Sequence, residues 1–247
     1  MSRRTDQSDP DKVNISKSKY RGKTDYDVVF QDQHILVANK PPGLLTVPIS
    51  GMKAVNLQDL IDRDLKYKRE VRAAHRIDRY TSGLVVFGLH KKAHSGLKDQ
   101  FRNRTPERIY LAVVRGRLQQ KEGKLVHYLK QVKAGFRNIV VSKHKKGAGR
   151  AELDYQVVDE QGDRSLVRIQ LITGLKNQIR VQFAEMGHPL IGDRHYEASE
   201  KNRKEIDRQA LHASELTFAH PITNKPVRNK ATLPADMKRV LREASAS

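Results

Sequence analysis

Residues 75–87 read HRIDRYTSGLVVF, a charged loop that leads into an apolar segment. The loop holds one carboxylate, Asp78, between Arg76 and Arg79, and the apolar stretch 83–89 predicts a buried strand. Nearby cations keep a carboxylate ionised, and a loop beside a rigid strand can present it as a nucleophile or a base. On this pattern alone, an ion-pair network that only fixes the loop is the commoner arrangement.

Strands and helices are predicted on both sides of this loop. They do not alternate regularly, which favours an α+β fold with a mixed, mostly antiparallel sheet and flanking helices. One folded domain is expected over 25–247, and residues 1–24, with a net charge of +4, are expected to form a flexible basic arm. The predicted strands cover 28–30, 35–38, 83–89, 108–115 and 210–219, with further strands up to about residue 173, and the predicted helices cover 55–66, 91–104, 177–186 and 235–245.

The composition favours a polyanionic partner. The chain has 48 lysines and arginines against 28 acids, a formal net charge of +20, so nucleic acid is the first expectation and an anionic membrane surface the second. The absence of cysteine excludes disulfides, thiol nucleophiles and cysteine-type zinc sites. The sequence has no signal-peptide core and no apolar run long enough to span a bilayer, so we expect a cytoplasmic protein without a membrane partner.

Half of the net charge lies in one segment, Arg115–Arg150, which has eleven lysines or arginines and one acid. Its last part combines Lys143, Lys145, Lys146 and Arg150 with two glycines, a composition typical of a flexible loop tip. Such a surface can follow a phosphate backbone, and these four residues are therefore candidate RNA contacts. The alternative is a solvated face of a hairpin.

Two further segments hold candidate site residues. Residues 171–181 read LITGLKNQIRV, which predicts a strand, a glycine turn and a helix that carries Arg180. That guanidinium could pair with a carboxylate from elsewhere, although an ordinary capped helix explains the segment as well. Residues 108–115 read RIYLAVVR, and strand alternation puts Arg108 and Tyr110 on one face. Tyr110 could stack on a base, but half-buried packing is the commoner use of such a tyrosine.

Several other chemistries have no support in the sequence. It contains no Walker phosphate loop, dinucleotide-binding glycine fingerprint, HExxH zinc motif or GxSxG nucleophile elbow. A hydrolytic glycosidase usually needs a second carboxylate near the first, and the loop around Asp78 supplies none. Nucleotide hydrolysis, zinc catalysis and serine hydrolysis are thus disfavoured.

Taken in order, these segments resemble the pseudouridine synthases, specifically the RluA-type branch that modifies uridines in ribosomal and transfer RNA. Residues 35–44, ILVANKPPGL, resemble the opening motif of that family, and 75–87 resemble its catalytic motif. Residues 108–110 are similar to its basic-x-tyrosine motif, and 171–196 to its C-terminal motif. The resemblance covers roughly residues 25–235 and implies the pseudouridine synthase catalytic fold with a central basic cleft.

The resemblance also implies a role for each matching residue. Asp78 would be the nucleophile or base that acts at C1′ of the target uridine, and Arg180 would hold it ionised and oriented. Tyr110 would pack against the base and assist proton transfer at the sugar. Arg76 would enter the RNA to help extrude the uridine. Apart from the resemblance, Arg79 beside Asp78 is a further candidate RNA contact. The reaction is an isomerisation, so no cofactor or metal is implied, and we expect a monomer without an obligate protein partner.

The sequence departs from the family at two positions of the C-terminal motif. The family usually reads glycine-arginine-x-histidine-glutamine, whereas this chain reads Gly174-Leu175-Lys176-Asn177-Gln178. Leu175 and Asn177 motivate an alternative function, an RNA-binding or ribosome-assembly factor with weakened catalysis. A general DNA-binding protein is a third hypothesis, but the sequence has no persuasive helix-turn-helix or zinc-finger pattern. The RNA target, the modified position and the role of the arm are left open.

Overall fold

The computed structural model describes residues 16–17, 26–51, 53–132, 137–197 and 205–243. The strands are β1 (Ser16–Lys17), β2 (Asp27–Gln31), β3 (Ile35–Lys40), β4 (Arg72–Ala73), β5 (Ser82–Gly88), β6 (Glu107–Arg115), β7 (Glu122–Gln131), β8 (Asn138–Val140), β9 (Gly149–Gln161), β10 (Arg164–Leu171), β11 (Leu211–Ala219) and β12 (Pro226–Lys230). The helices are α1 (Leu57–Asp64), α2 (Lys91–Arg102), α3 (Gln178–Glu185) and α4 (Ala235–Glu243).

The strands of the described residues form one mixed sheet. Their order is β1-β2-β3-β5-β11-β6-β10-β9-β7-β8, with β12 also paired to β11 and β4 to β5. The pair of β5 and β11 is parallel, and the other strand pairs of this sheet are antiparallel. The predicted α+β fold with a mostly antiparallel sheet is therefore confirmed.

The parallel contact between β5 and β11 fixes the place where the Asp78 loop enters the sheet. Gly83 sits opposite Ala213 with a φ of +116°, and a Cβ added there would lie 2.2 Å from the Ala213 carbonyl oxygen. Only glycine accommodates this backbone angle and this close approach. Because β11 also pairs with β6, the loop before β5 comes to lie near the β6 residue Tyr110.

Helices cover both faces of β5, which is buried along its whole length. Leu84 and Val86 point to one face and pack in a cluster with Leu97 of α2. Val85 and Phe87 point to the other and join the main core with residues of α1. This alternation follows from the two-residue period of a strand, and the double burial explains why 84–87 are all apolar.

The predicted elements match the structure with small differences at their ends. α1 begins after Asn56, whose side chain accepts a hydrogen bond from the Asp59 amide and so caps the helix. α3 begins one residue later than predicted because Asn177 has a left-handed φ of +54°. The predicted arm lies outside the described residues except for 16–17, which pair with β2, and the predicted end of the last helix lies outside them too. None of the described helices combines the length and apolarity needed to cross a bilayer.

Candidate active site

The structure brings together Asp78 and Arg180, which are 102 residues apart in the sequence. A guanidinium nitrogen of Arg180, Nη1, donates to Asp78 Oδ2 at 3.1 Å. Asp78 is partly exposed, with 29% of its side chain accessible, whereas the Arg180 side chain is buried. The carboxylate thus faces a cavity while its partner is held in the protein behind it.

Arg180 is fixed mainly by a second carboxylate, Asp193, which is completely buried. Arg180 Nε donates to Asp193 Oδ2 at 2.5 Å, and Nη2 donates to Oδ1 at 2.7 Å. Burial alone would disfavour the charged guanidinium, but the hydrogen bonds and charges of Asp193 and Asp78 outweigh it and raise the pKa of Arg180. Asp193 also accepts from the His195 and Tyr196 amides, so the pair is held by the backbone. Sequence reasoning did not assign this role to Asp193, although the residue lies in a glycine–aspartate turn within the segment 171–196 that resembles the C-terminal motif of the family.

Asn177, one of the two departures from the family pattern, also contacts Arg180. Its Oδ1 accepts from Arg180 Nη1 at 3.1 Å, and its Nδ2 lies 3.5 Å from the Tyr196 hydroxyl. Asparagine tolerates the left-handed backbone of this position better than most residues. Its amide oxygen therefore becomes an additional acceptor for the guanidinium that holds Asp78.

Leu175, the other departure, has a packing role. It packs with a small apolar cluster of Leu129, Ala151 and Val181. A Cβ added to Gly149 would lie 3.1 Å from Leu175 Cδ1, so the first residue of β9 approaches this side chain closely. The position that usually carries arginine in the family thus attaches the turn before α3 to the basic segment.

Tyr110 lies on β6 and lines the same cavity as Asp78. Burial raises the pKa of its phenol to about 12, with the Arg108 charge opposing the shift and the Asp78 charge adding to it. The hydroxyl therefore stays protonated near neutral pH. Arg108 lies on the same face of β6 and donates through Nη2 to the carbonyl oxygens of Leu171 and Ile172, both at 3.0 Å. It ties β6 to the end of β10.

Asp78 faces a cavity that we name the first cavity. Its volume is about 400 Å³. A site of this size suits a ligand on the scale of a nucleoside. Asp78 is its one acidic lining residue within the described part of the chain. The arginines that line it are Arg76, Arg104, Arg108 and Arg180. Such a lining attracts an anionic ligand and leaves one carboxylate placed for chemistry.

His75 contributes shape to this cavity. Its ring stacks on Phe101, with 4.3 Å between centroids and an interplanar angle of 18°. Burial lowers the pKa of His75 to about 3, and the Arg108 charge adds to this shift. The imidazole is therefore neutral, and its Nε2 accepts from the Val86 amide at 3.3 Å. Across the described residues, no three or more His, Asp or Glu side chains are grouped so that they could hold a metal ion.

Lys40 is a buried cation that the sequence analysis did not place in the site. Its Nζ donates to the carbonyl oxygens of Pro41, Leu44 and Arg79 at 2.9, 2.8 and 3.0 Å. Burial lowers the pKa of Lys40 to about 7, and the Asp78 charge opposes the shift. Because Arg79 follows Asp78, this ammonium connects the Asp78 loop to the turn after β3.

The predicted RNA contacts divide into two groups. Arg76 and Arg79 are exposed beside Asp78. Arg76 lines the first cavity, and both arginines line a second cavity next to it. Lys143, Lys145, Lys146 and Arg150 are exposed too, but they are absent from the lining of both cavities. Arg150 pairs with Glu152, two residues along the same face of β9.

The basic segment nevertheless adjoins the site. Besides the approach of Gly149 to Leu175, the Asn138 side-chain amide nitrogen donates to the Lys176 carbonyl oxygen at 2.6 Å. The loop 141–148 connects β8 to β9, which lie on opposite sides of β7. β8 ends and β9 begins opposite the same β7 residue, Leu129, so the loop passes over a face of β7 near that residue.

Comparison with known proteins gives consistent matches. A family described as RNA pseudouridylate synthase matches residues 34–185. The chain is 36% identical to the uncharacterized RNA pseudouridine synthase YhcT of Bacillus subtilis, over 87% of this chain and 71% of that protein. It is 39% identical to the dual-specificity RNA pseudouridine synthase RluA of Vibrio cholerae, over 79% of this chain and 78% of that protein.

A solved structure supports the fold. The human RNA pseudouridylate synthase domain containing 4 matches with a TM-score of 0.72 at 22% identity, over 89% of this chain and 92% of that one. The arrangement of strands described above is therefore shared with a protein of very different sequence.

Proposed function

This chain belongs to the RNA pseudouridylate synthase family and is an enzyme that isomerises uridine in RNA, and on that premise we propose that Asp78 is the nucleophile or base of the reaction. The observation that carries the proposal is the 3.1 Å contact between Asp78 and the buried Arg180 at the wall of a nucleoside-sized cavity. Arg180 donates a hydrogen bond to one carboxylate oxygen and so fixes its position, while the exposed part of Asp78 faces the substrate.

The proposed chemistry takes place at C1′ of a uridine in the first cavity. The N1–C1′ bond breaks with help from the Asp78 carboxylate, the uracil turns, and a new bond forms between C5 and C1′. C5 loses its hydrogen as a proton and N1, released from the sugar, gains one, so the product is an isomer of the substrate. The reacting atom is the anomeric carbon C1′. A carboxylate side chain is suited to act as a nucleophile at such a carbon.

Tyr110 and the arginines of the first cavity would assist in different ways. The Tyr110 hydroxyl stays protonated because burial raises its pKa to about 12, so it can donate a hydrogen bond or take part in proton transfer at the sugar. Arg76 is exposed at the cavity and is placed to enter the RNA. Extruding a base costs about a few kcal/mol, which phosphate contacts by exposed cations can offset.

We propose ribosomal RNA, transfer RNA or both as the substrate class, a range consistent with relatives named as dual-specificity synthases. The proposal includes action in the cytoplasm as a monomer without an obligate protein partner. Its support is that one chain supplies Asp78, Arg180, Asp193 and Tyr110. The basic loop 141–148 would add phosphate contacts, and residues 25–247 would form the catalytic domain.

The alternative of a catalytically weakened RNA-binding or assembly factor depended on Leu175 and Asn177. Family membership and the contacts of these residues both favour the enzyme. Asn177 accepts a hydrogen bond from Arg180, and Leu175 packs against a small apolar cluster, so neither departure leaves Asp78 without its partner.

The test is tritium release from RNA that carries uridine labelled at C5. Wild type, Asp78→Asn and Asp99→Asn would be compared on ribosomal and transfer RNA transcripts. Asp99 is an acid of α2 that pairs with Arg102 outside both cavities, so it controls for the loss of one carboxylate. We expect release by wild type and Asp99→Asn and none by Asp78→Asn. Equal release by all three would remove Asp78 from the chemistry.

A further inference from the structure

The second cavity has no part in the chemistry proposed above. Its volume is about 320 Å³, and it shares five lining residues with the first cavity, Arg76, Ile77, Asp78, Asn177 and Arg180. The contact between Asp78 and Arg180 is thus part of the wall between two adjacent spaces. A ligand that fills the first cavity lies directly beside whatever occupies the second.

We propose that the second cavity binds a nucleotide that neighbours the target uridine in the same RNA chain. This inference rests on the proposed function, because it takes the target uridine to occupy the first cavity. Its consequence is that the enzyme selects its site partly through the base next to the one that it modifies.

The charges of the lining suit a phosphodiester. Arg79 follows Asp78, Lys176 belongs to the turn before α3, and Arg194 follows Asp193, so three separate segments supply cations. Apart from Asp78, the lining includes one acid, Asp207, within the described residues. Arg79 and Arg194 are exposed and can reach phosphate oxygens without losing a buried partner.

An aromatic ring distinguishes a nucleotide from a simple anion as the ligand. Tyr80 lines the second cavity with 40% of its surface exposed. The Arg79 guanidinium carbon lies 5.5 Å from the centre of the Tyr80 ring, a cation–π contact that restrains the ring. Ile49, also exposed, lines the same space. Proteins that read single-stranded RNA stack its unpaired bases on such rings, with cations placed for the backbone.

The adjacency of the two cavities indicates which nucleotide binds there. A base extruded into the first cavity has its two neighbours in the chain within one phosphodiester step. The second cavity is also lined by the Asp78 loop and has room for one ligand of nucleotide size. A separate small ligand would compete with the bound uridine for Arg76 and Asp78. A neighbouring nucleotide is covalently linked to the uridine and enters the site together with it.

The first experiment changes the aromatic ring. KM and kcat are measured by tritium release for wild type, Tyr80→Ala, Tyr80→Phe and the control Tyr67→Ala, on the transcript that wild type modifies. Tyr67 is 70% exposed in the turn after α1 and lines neither cavity. Loss of stacking should raise KM for Tyr80→Ala about tenfold and leave kcat within about threefold, whereas Tyr80→Phe should keep the wild-type KM.

The second experiment changes the RNA. Once the modified uridine has been mapped, each neighbouring nucleotide is replaced in turn by an abasic one. For wild type, one of the two replacements should raise KM about as much as Tyr80→Ala does on the intact RNA. Combining that replacement with Tyr80→Ala should add little, because both remove the same contact.

The outcomes separate this inference from the proposed function. The second site would be overturned if wild type releases tritium but Tyr80→Ala has the same KM as Tyr67→Ala. It would also be overturned if neither abasic neighbour changes KM. In both cases the proposed synthase function would stand. No release from any RNA by wild type would overturn both. A higher KM for Tyr80→Ala that adds fully to the abasic effect would place Tyr80 on another part of the RNA and also overturn the inference.

Discussion

Two cationic regions of this enzyme lie close together and work in opposite ways. In the inner wall, formed by Arg180, Asp193 and Asn177 behind Asp78, the guanidinium is buried and bonded on several sides. In the basic loop, residues 141–148, the lysines are exposed to solvent. A buried ion that loses its partner costs several kcal/mol, whereas exposed charges are screened and act mainly as a group. Burial, rather than charge alone, therefore decides how much the loss of a single charged side chain changes the stability of the fold.

A second buried cation refines this comparison within the site itself. Arg180 is held by carboxylates, and its pKa is raised, whereas Lys40 is held by three carbonyl oxygens, and its pKa is lowered by burial. Carbonyl dipoles compensate a buried charge less completely than a counter-ion does. Charge within the site is thus permanent at Arg180 and sensitive to pH at Lys40.

The largest effect is expected from Arg180→Met. This change leaves Asp193 buried without its counter-charge and releases Asp78 from its only arginine contact among the described residues. We expect the free energy of unfolding to fall by about 3–5 kcal/mol. A misplaced Asp78 should also lower kcat by roughly a hundredfold or more. Urea denaturation and tritium release would measure the two effects.

A matched control and a double variant sharpen this prediction. Arg239→Met breaks an exposed pair with Glu243 on α4 and should cost about 1 kcal/mol or less. Arg180→Met combined with Asp193→Leu removes both buried charges, so part of the stability should return while kcat stays low. If Arg180→Met destabilised the protein no more than Arg239→Met, the contrast between buried and exposed charge would be wrong.

The sequence predicted the elements better than the contacts between them. The strand at 83–89, the helix after residue 90 and the strand at 108–115 follow from hydrophobic period, a local property. The meeting of Asp78 with Arg180 does not, because it depends on how β5, β11 and β6 lie side by side in the sheet. That contact was expected only through the resemblance to a family, and the catalytic roles built on it stay predictions.

Buried charges were the hardest to predict from sequence. Lys40 and Asp193 are polar residues beside turns, a context typical of exposed positions, and burial is rare for both residue types. Arg150 shows the reverse case. Its partner Glu152 is two residues away on the same strand face, so strand alternation in the sequence is enough to predict that pair.

An effect of intermediate size is expected from Lys40→Met as a function of pH. The pKa of Lys40 is about 7 in the folded protein and near 10.5 for an unburied lysine. Between these values the unfolded chain binds the extra proton, so the contribution of Lys40 to stability rises with pH. The difference in unfolding free energy, wild type minus variant, should increase by up to about 1.4 kcal/mol per pH unit in this window.

Denaturation of wild type, Lys40→Met and the exposed-site control Lys225→Met between pH 6 and 10 would test this. The control measures how the loss of one exposed lysine changes the unfolding free energy, and this change is subtracted from that of Lys40→Met. A difference that does not change with pH would mean that the three carbonyl oxygens keep Lys40 charged throughout. Lys40 would then resemble Arg180, and the distinction between carbonyl and carboxylate partners would disappear.

The smallest effect per residue is expected in the basic loop, from Lys143, Lys145 and Lys146 changed together to Gln. These lysines are exposed, so the fold should be unchanged within about 0.5 kcal/mol. If they contact phosphates, KM should rise several-fold with kcat unchanged, and the slope of log KM against log salt should fall by up to about 2. The matched triple, Lys91, Lys92 and Lys98 to Gln on α2, removes the same charge from another surface. Equal changes in KM for both triple variants would mean that RNA binding depends on net charge alone. A larger change for the loop variant would show that the position of exposed charges also affects RNA binding.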